Sequence, residues 1–212
     1  MKTGSLISAL LFLVQTLLSG QDDPAATAVL DRFASVAKAA PSVSMEFEMI
    51  ANDAIEKRTD TLKGKVVIAG DRYRLTMPES TTWFNGTDSW NYMPSVKEVT
   101  ITRPSGEETS FMAKPSLLFE MYRKDYRSKI VESTLNHDII ELIPVDNKTD
   151  IIRVRLTIGR KSSDLISAEY RTRNGLTATL RVKDYNLRFK PDSKYFDFNP
   201  ADFKGVEIID MR

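Results

Sequence analysis

The sequence predicts a mainly β domain of the α+β class, in which one curved or nearly closed antiparallel sheet of about ten to eleven strands wraps over helices. Three observations carry this. Apolar and polar residues alternate with a period of two along most of the chain. Gly, Pro and Asn-Gly pairs punctuate that alternation at short intervals. A helical period is sustained over several turns in one place only, close to the N-terminus of the mature chain.

Asp23-Pro24 opens the helix, since Asp caps well and Pro suits the first helical turn. Ala28, Val29, Leu30, Phe33, Val36 and Ala37 form its apolar stripe, and Pro41 closes it. Met45, Phe47 and Met49 then alternate with Ser44, Glu46 and Glu48, which predicts a strand with one buried face. Residues 64–69 read as the next strand, Gly70-Asp71 as a turn, and Tyr73, Leu75 and Met77 as a strand ending at Pro78. Residues 81–84 and 89–92 flank Asn85-Gly86, a hairpin signal because both residues tolerate positive φ. Val99 and Ile101 carry the alternation through 96–103. After Pro115, Leu117, Leu118, Met121 and Tyr122 predict a short amphipathic helix. Strands resume at 129–134, 138–144, 151–158, 165–171 and 176–185, with Asn174-Gly175 joining the last two. No strand is assigned in the tail 196–209, whose apolar residues surround Pro200 and Gly205.

The first twenty residues read as a cleavable signal peptide. Lys2 precedes an apolar stretch from Leu6 to Leu18, and Ser19 and Gly20 form a small-residue exit. The stretch falls short of the ~20 residues a membrane-spanning helix needs. No cysteine occurs anywhere, so a lipid anchor on an N-terminal Cys is excluded, as are disulfides and thiolate ligands. Residues 21–212 read as one domain, about 190 residues being enough to bury a core. Loss of Lys2 leaves 29 basic against 29 acidic residues, a balance that argues against nucleic acid as a partner.

Catalytic and metal chemistry find little support. His137 is the only histidine and sits in a turn-like Asn136-His137-Asp138 between two strands, so it is expected to be solvated. Asp22-Asp23 and Glu107-Glu108 are adjacent carboxylates in polar stretches, and Gly159-Arg160-Lys161 lacks the upstream glycine of a phosphate loop. The Asn-x-Thr sequons at Asn85 and Asn147 mark exposed turns. The chain is read as no enzyme, with no catalytic residue, metal site or cofactor. A curved sheet offers a concave apolar face that either binds hydrophobic ligands or is filled by its own side chains, and spacing alone does not choose between them.

The run from Tyr73 to Pro78, then Asn85-Gly86-Thr87-Asp88-Ser89-Trp90-Asn91-Tyr92-Met93-Pro94, resembles the LolA family of periplasmic lipoprotein carriers. So do the segment 111–119, similar to the family's helix at the barrel mouth, and the ending Tyr195-Phe196-Asp197-Phe198-Asn199-Pro200 followed by Gly205-Val206. The resemblance implies an unclosed β-barrel capped by the N-terminal and inserted helices. It also implies an apolar hollow that takes lipoprotein acyl chains, or another lipid, from the inner to the outer membrane. The candidates to line or gate that hollow are Met45, Phe47, Met49, Tyr73, Leu75, Met77, Trp83, Trp90, Tyr92, Met112, Leu117, Leu118 and Met121, with Met93 beside them. Implied partners are an inner-membrane transporter complex and an outer-membrane acceptor, and the carrier is expected to act as a monomer. The alternative is a LolA-like sensor of envelope stress that binds a regulatory protein. Such sensors typically add a C-terminal second domain, and this chain stops soon after Asp210. One departure stands out: the arginine that holds the family's lid falls by position near Ala69-Gly70, while Arg74 alternates with Tyr73 and Leu75 towards solvent.

Overall fold

The computed structural model describes residues 23–104 and 114–212. The expected signal peptide lies outside the described residues, as do Met112, Asp22 and Glu107-Glu108.

Helix α1 (Pro24–Ala39) starts where the cap signal places it. One Asp23 carboxylate oxygen accepts the Ala25 N–H at 2.9 Å and the other accepts the Ile130 N–H at 3.1 Å. Together these backbone donors, Ile130 foremost, hold the carboxyl below the usual range. Asp23 therefore caps the helix and also ties its start to the sheet. Ala26, Leu30, Phe33, Ala34 and Ala37 are buried, a narrower stripe than the sequence suggested, with Ala28 on the solvent side.

Twelve strands form one sheet: β1 (Val43–Asp53), β2 (Arg58–Ala69), β3 (Arg72–Thr76), β4 (Thr81–Phe84), β5 (Ser89–Met93), β6 (Glu98–Thr102), β7 (Tyr126–Ser133), β8 (His137–Pro144), β9 (Ile151–Gly159), β10 (Leu165–Thr172), β11 (Leu176–Asn186) and β12 (Glu207–Asp210). Their order is β12-β6-β5-β4-β3-β2-β1-β11-β10-β9-β8-β7. Two meanders, β1–β6 and β7–β11, thus join through the β1–β11 pair. β7 and β12 are free edges, and the sheet is neither closed into a barrel nor strongly curled. This corrects the expected barrel-like curvature. It also corrects the strand count and the purely antiparallel pairing, because β12 runs parallel to β6.

β1 and β2 are longer than the alternation predicted. Residues 50–63 are too polar to show a period, yet β1 pairs along its length with β2 and along most of it with β11, so neighbours supply the order that local pattern lacks. The hairpin turns fall where expected: Gly86 (φ +99°) and Gly175 (φ +84°) take the left-handed conformation. The expected inserted helix is a pair of 3-10 turns, Pro115–Phe119 and Met121–Arg123. Glu120 (φ −132°) interrupts them, and so short a run cannot offset helix nucleation without packing.

Topology demands two long crossings. Between β6 and β7 the chain passes to the opposite edge, and the 3-10 turns at 115–123 pack over one face against α1. Residues 187–206 return towards β6 over the other face. The α1 face holds the main core, including Leu30, Phe33, Met45, Val66, Ile140, Leu142, Leu156 and Ile158. The opposite face holds a smaller aromatic cluster of Trp83, Val99, Ile101 and Phe198.

On the outer surface of β7–β10 the strands are laced by ion pairs centred on Glu141, which is 7% exposed. Its carboxylate meets Arg155 at 2.9 Å and Lys129 at 3.1 Å, while Arg153 joins it to Glu169. Burial pushes the Glu141 carboxyl up, but the Arg155 and Lys129 donors outweigh it and the net shift is downward. A depressed folded value means stability that is present above the unfolded pKa of ~4.3 and is lost as pH falls through the folded value. Glu141→Gln is therefore expected to lower the melting temperature near neutral pH and to shrink its further fall in acid. Melting curves across the acid range check this, and an unchanged acid limb would contradict it.

Candidate functional site

The site builds from the α1 face. In-register pairing sets Phe47 opposite Gly64, Met45 opposite Val66, and Tyr73 opposite Ile68, so these side chains share one face. Gly64 leaves room there: a Cβ would stand 2.6 Å from both Phe47 Cζ and Met77 Sδ and would push these side-chain ends aside. The missing side chain lets Phe47 and Met77 meet across β2. Beside them an open cleft of about 640 Å³ is rimmed by the pairs Lys65–Glu46 (3.1 Å) and Lys183–Glu48 (3.3 Å).

Of the candidate residues, Met45, Phe47, Tyr73, Leu75 and Leu118 are buried in this main core, and Met49, Met77 and Met121 pack against it half-buried. Leu117 is half-exposed. Trp83, Trp90 and Tyr92 lie on the opposite face, in the aromatic cluster beneath the returning C-terminal segment. There Phe203 meets Trp83 at 5.8 Å and Tyr92 at 4.8 Å, both edge-on. The twelve described candidates are thus divided between the two faces of the sheet and the inserted segment.

Arg74 is partly exposed, and its guanidinium is also engaged by aromatic rings. It lies over Trp83 at 5.1 Å and Tyr195 at 5.3 Å, and Arg72 lies over Phe196 at 5.0 Å. Both arginines secure the C-terminal segment by cation–π contact. Asn85 does the same, donating to Asp197 at 2.9 Å, so this sequon's side chain is engaged. Asp88 fastens the end of the chain, with Arg103 at 2.9 Å and Arg212 at 2.7 Å.

The inserted segment is held to α1 by groups that were not among the candidates to line the hollow. Tyr122 donates its hydroxyl to Asp31 at 2.6 Å, and Arg123 meets the same carboxylate at 2.9 Å. Arg123 Nε also donates to the Tyr122 oxygen at 3.2 Å. Burial first, then the bond to Asp31, pushes the Tyr122 phenol up to about 12. Phe33 and Phe119 stack below this clasp with ring centroids 5.2 Å apart, and Lys38 reaches Glu120 at 3.3 Å.

Between the end of α1, the β2–β3 turn and the first 3-10 turn lies a pocket of about 230 Å³. Ala37, Val43, Ile68 and Phe119 give it apolar walls, and Lys38, Glu120 and Asp71 stand at it as charged groups. Ser116 lines it too, and its buried hydroxyl finds no hydrogen-bond partner. Tyr185 carries a second unpartnered buried hydroxyl, and burial pushes its phenol pKa up. No sequence pattern marks Ser116; its significance arises from the crossing that buries it.

His137 opens β8, with its backbone N–H on Thr134 Oγ1 at 3.0 Å and its Nε2 3.8 Å from Glu132. No group of three or more metal-ligating side chains occurs among the described residues.

A structure of an uncharacterized conserved protein from Thermus thermophilus shares this fold, with a TM-score of 0.59 at 13% identity over 88% of this chain and 99% of that one. A LolA superfamily protein from Nitrosomonas europaea aligns with a TM-score of 0.44 at 16% identity over 83% and 98%. A putative outer membrane lipoprotein-sorting protein domain from Vibrio parahaemolyticus gives 0.41 at 12% identity over 85% and 96%. No curated protein matches the chain. The family described as outer membrane lipoprotein carrier protein LolA matches residues 18–175, a carrier family rather than a catalytic one, and the chain belongs to it.

Proposed function

We propose that the protein is a periplasmic carrier that takes up acyl chains of lipoproteins, or of another lipid, between the inner face of its sheet and the cover formed by α1 and the 3-10 turns. The observation that carries this reading is the nature of the cover. A broad apolar sheet face is closed by one helix and an irregular crossing, fastened by a few polar contacts, where a second sheet would have made a permanent core.

A chain entering beneath that cover meets the half-buried Met49, Met77 and Met121 at the margin of the core. Methionine adapts to chains of different shape, and each buried methylene contributes ~0.8 kcal/mol, so one long chain is enough to offset a modest opening cost. The signal peptide reading, residues 1–20, supports a single domain 21–212 that works in the periplasm between an inner-membrane donor and an outer-membrane acceptor.

Delipidated protein is expected to bind a fluorescent fatty acid at one saturable site. Native mass spectrometry of protein recovered from the periplasm is expected to show a lipid adduct. Protein that binds no acyl probe and carries no lipid from the cell would refute the reading.

A further inference from the structure

The pocket beside Ser116 is more specific than a hollow for hydrocarbon requires. Its walls are apolar, yet it contains a serine only 5% exposed whose Oγ makes no hydrogen bond. A buried hydroxyl without a partner is a standing penalty for the folded protein unless something supplies that partner. The rim carries the Lys38–Glu120 pair, 58% and 46% exposed, which bridges α1 to the inserted segment. A volume of about 230 Å³ is smaller than the roughly 300–1,000 Å³ of pockets that enclose whole drug-sized ligands. It suits the end of one chain, about seven heavy atoms at the ~30 Å³ that a water occupies.

We propose that this pocket holds a single acyl group by its carbonyl end. The Ser116 hydroxyl donates to the carbonyl oxygen, and the first methylenes lie against Ala37, Val43, Ile68 and Phe119. The rest of the chain runs along the inner face of the sheet. The inference rests on the carrier reading and sharpens it, since it selects acyl compounds over plain hydrocarbon. Two sources share this chemistry: a free fatty carboxylate and an ester or amide carbonyl. They differ at the rim. A carboxylate competes with Glu120 for Lys38 and so loosens the bridge between α1 and the crossing, whereas a neutral carbonyl leaves that bridge in place.

The test uses delipidated mature protein and three probes: palmitate, methyl palmitate and hexadecane, each displacing a bound fluorescent fatty acid. Ser116→Ala is expected to weaken palmitate and methyl palmitate by about two- to tenfold, the range of one hydrogen bond. Hexadecane should bind Ser116→Ala and wild type equally. Removing an unpartnered hydroxyl should leave the melting temperature of the empty protein unchanged or raised, whereas a structural serine would lower it. Lys38→Met is expected to weaken palmitate alone if the source is a carboxylate. If Lys38→Met weakens neither carbonyl probe while the Ser116→Ala loss persists, the source is the ester or amide. If wild type binds both carbonyl probes and Ser116→Ala binds them equally well, the carbonyl anchor is overturned while the carrier reading stands. If wild type binds none of the probes, the carrier reading falls and the anchor with it.

Discussion

Phe33→Ala is expected to destabilise the protein by about 3–5 kcal/mol, a large share of the 5–15 kcal/mol that holds a typical domain. Phe33 is fully buried, and its ring is the contact through which α1 grips Phe119 of the crossing. Truncation leaves a cavity between helix and sheet that neither neighbour can fill, because α1 is fixed at its start by Asp23 on β7. The loss therefore adds a void to the forfeited burial. Urea unfolding should show a lower midpoint with an unchanged slope. Amide exchange should quicken in the 3-10 turns ahead of the central strands, since those turns lose their aromatic anchor. Phe33→Leu should recover most of the stability. A loss below ~1 kcal/mol on Phe33→Ala would mean that α1 is not the principal cover of the inner face.

What could be read from the sequence followed the range of the interactions involved. The N-cap at Asp23, the Pro41 stop and the Asn-Gly hairpins are local, and each formed where residue type required it. The strand with Met45, Phe47 and Met49 was legible because period two survives in one sequence segment. Its extension to Asp53, and β2 back to Arg58, was not, since those residues are ordered by neighbouring strands. β12 was missed for a related reason. Its four residues are all exposed, and it exists because Ile208 and Ile209 align beside Val99 and Thr100 of β6. Alternation also could not say which side of the sheet is which. Trp83 and Tyr73 both read as inward, but Tyr73 pairs across from Phe84 and Trp83 from Arg74, which puts them on opposite faces. The family resemblance drew attention to both sets without dividing them.

The same division limits how opening can proceed. The C-terminal segment is bound on the far face by two cation–π contacts, the Asn85–Asp197 bond and the Asp88–Arg212 ion pair. The described part of the crossing on the near face is held to α1 at Asp31 and by the Lys38–Glu120 pair. Among the described residues the two clusters share no member, so the sheet can remain whole while its near cover moves.

Asp31→Ala should accordingly loosen that cover with little damage elsewhere. Tyr122 is the buried member, 4% exposed, and Asp31 is the acceptor for both its hydroxyl and Arg123. The Asp31–Arg123 contact is largely solvated and contributes little by itself, so the main term is the phenol–carboxylate bond. Losing the partner of a buried donor costs about 1–3 kcal/mol, roughly a 5- to 150-fold rise in the open population. Asp31→Asn should show less, because its amide oxygen still accepts from the phenol. Tyr122→Phe should also show less, because it removes the donor together with its need for a partner. The wild-type clasp also has a pH limit. The Tyr122 phenol titrates near 12 rather than at the usual ~10, so its contribution is complete below ~10 and disappears as pH rises through about 12. Release of a bound fluorescent fatty acid should be faster in Asp31→Ala near neutral pH, and wild-type release should approach that rate only in strong alkali. Equal release rates in wild type and variant at neutral pH would show that the clasp does not hold the cover.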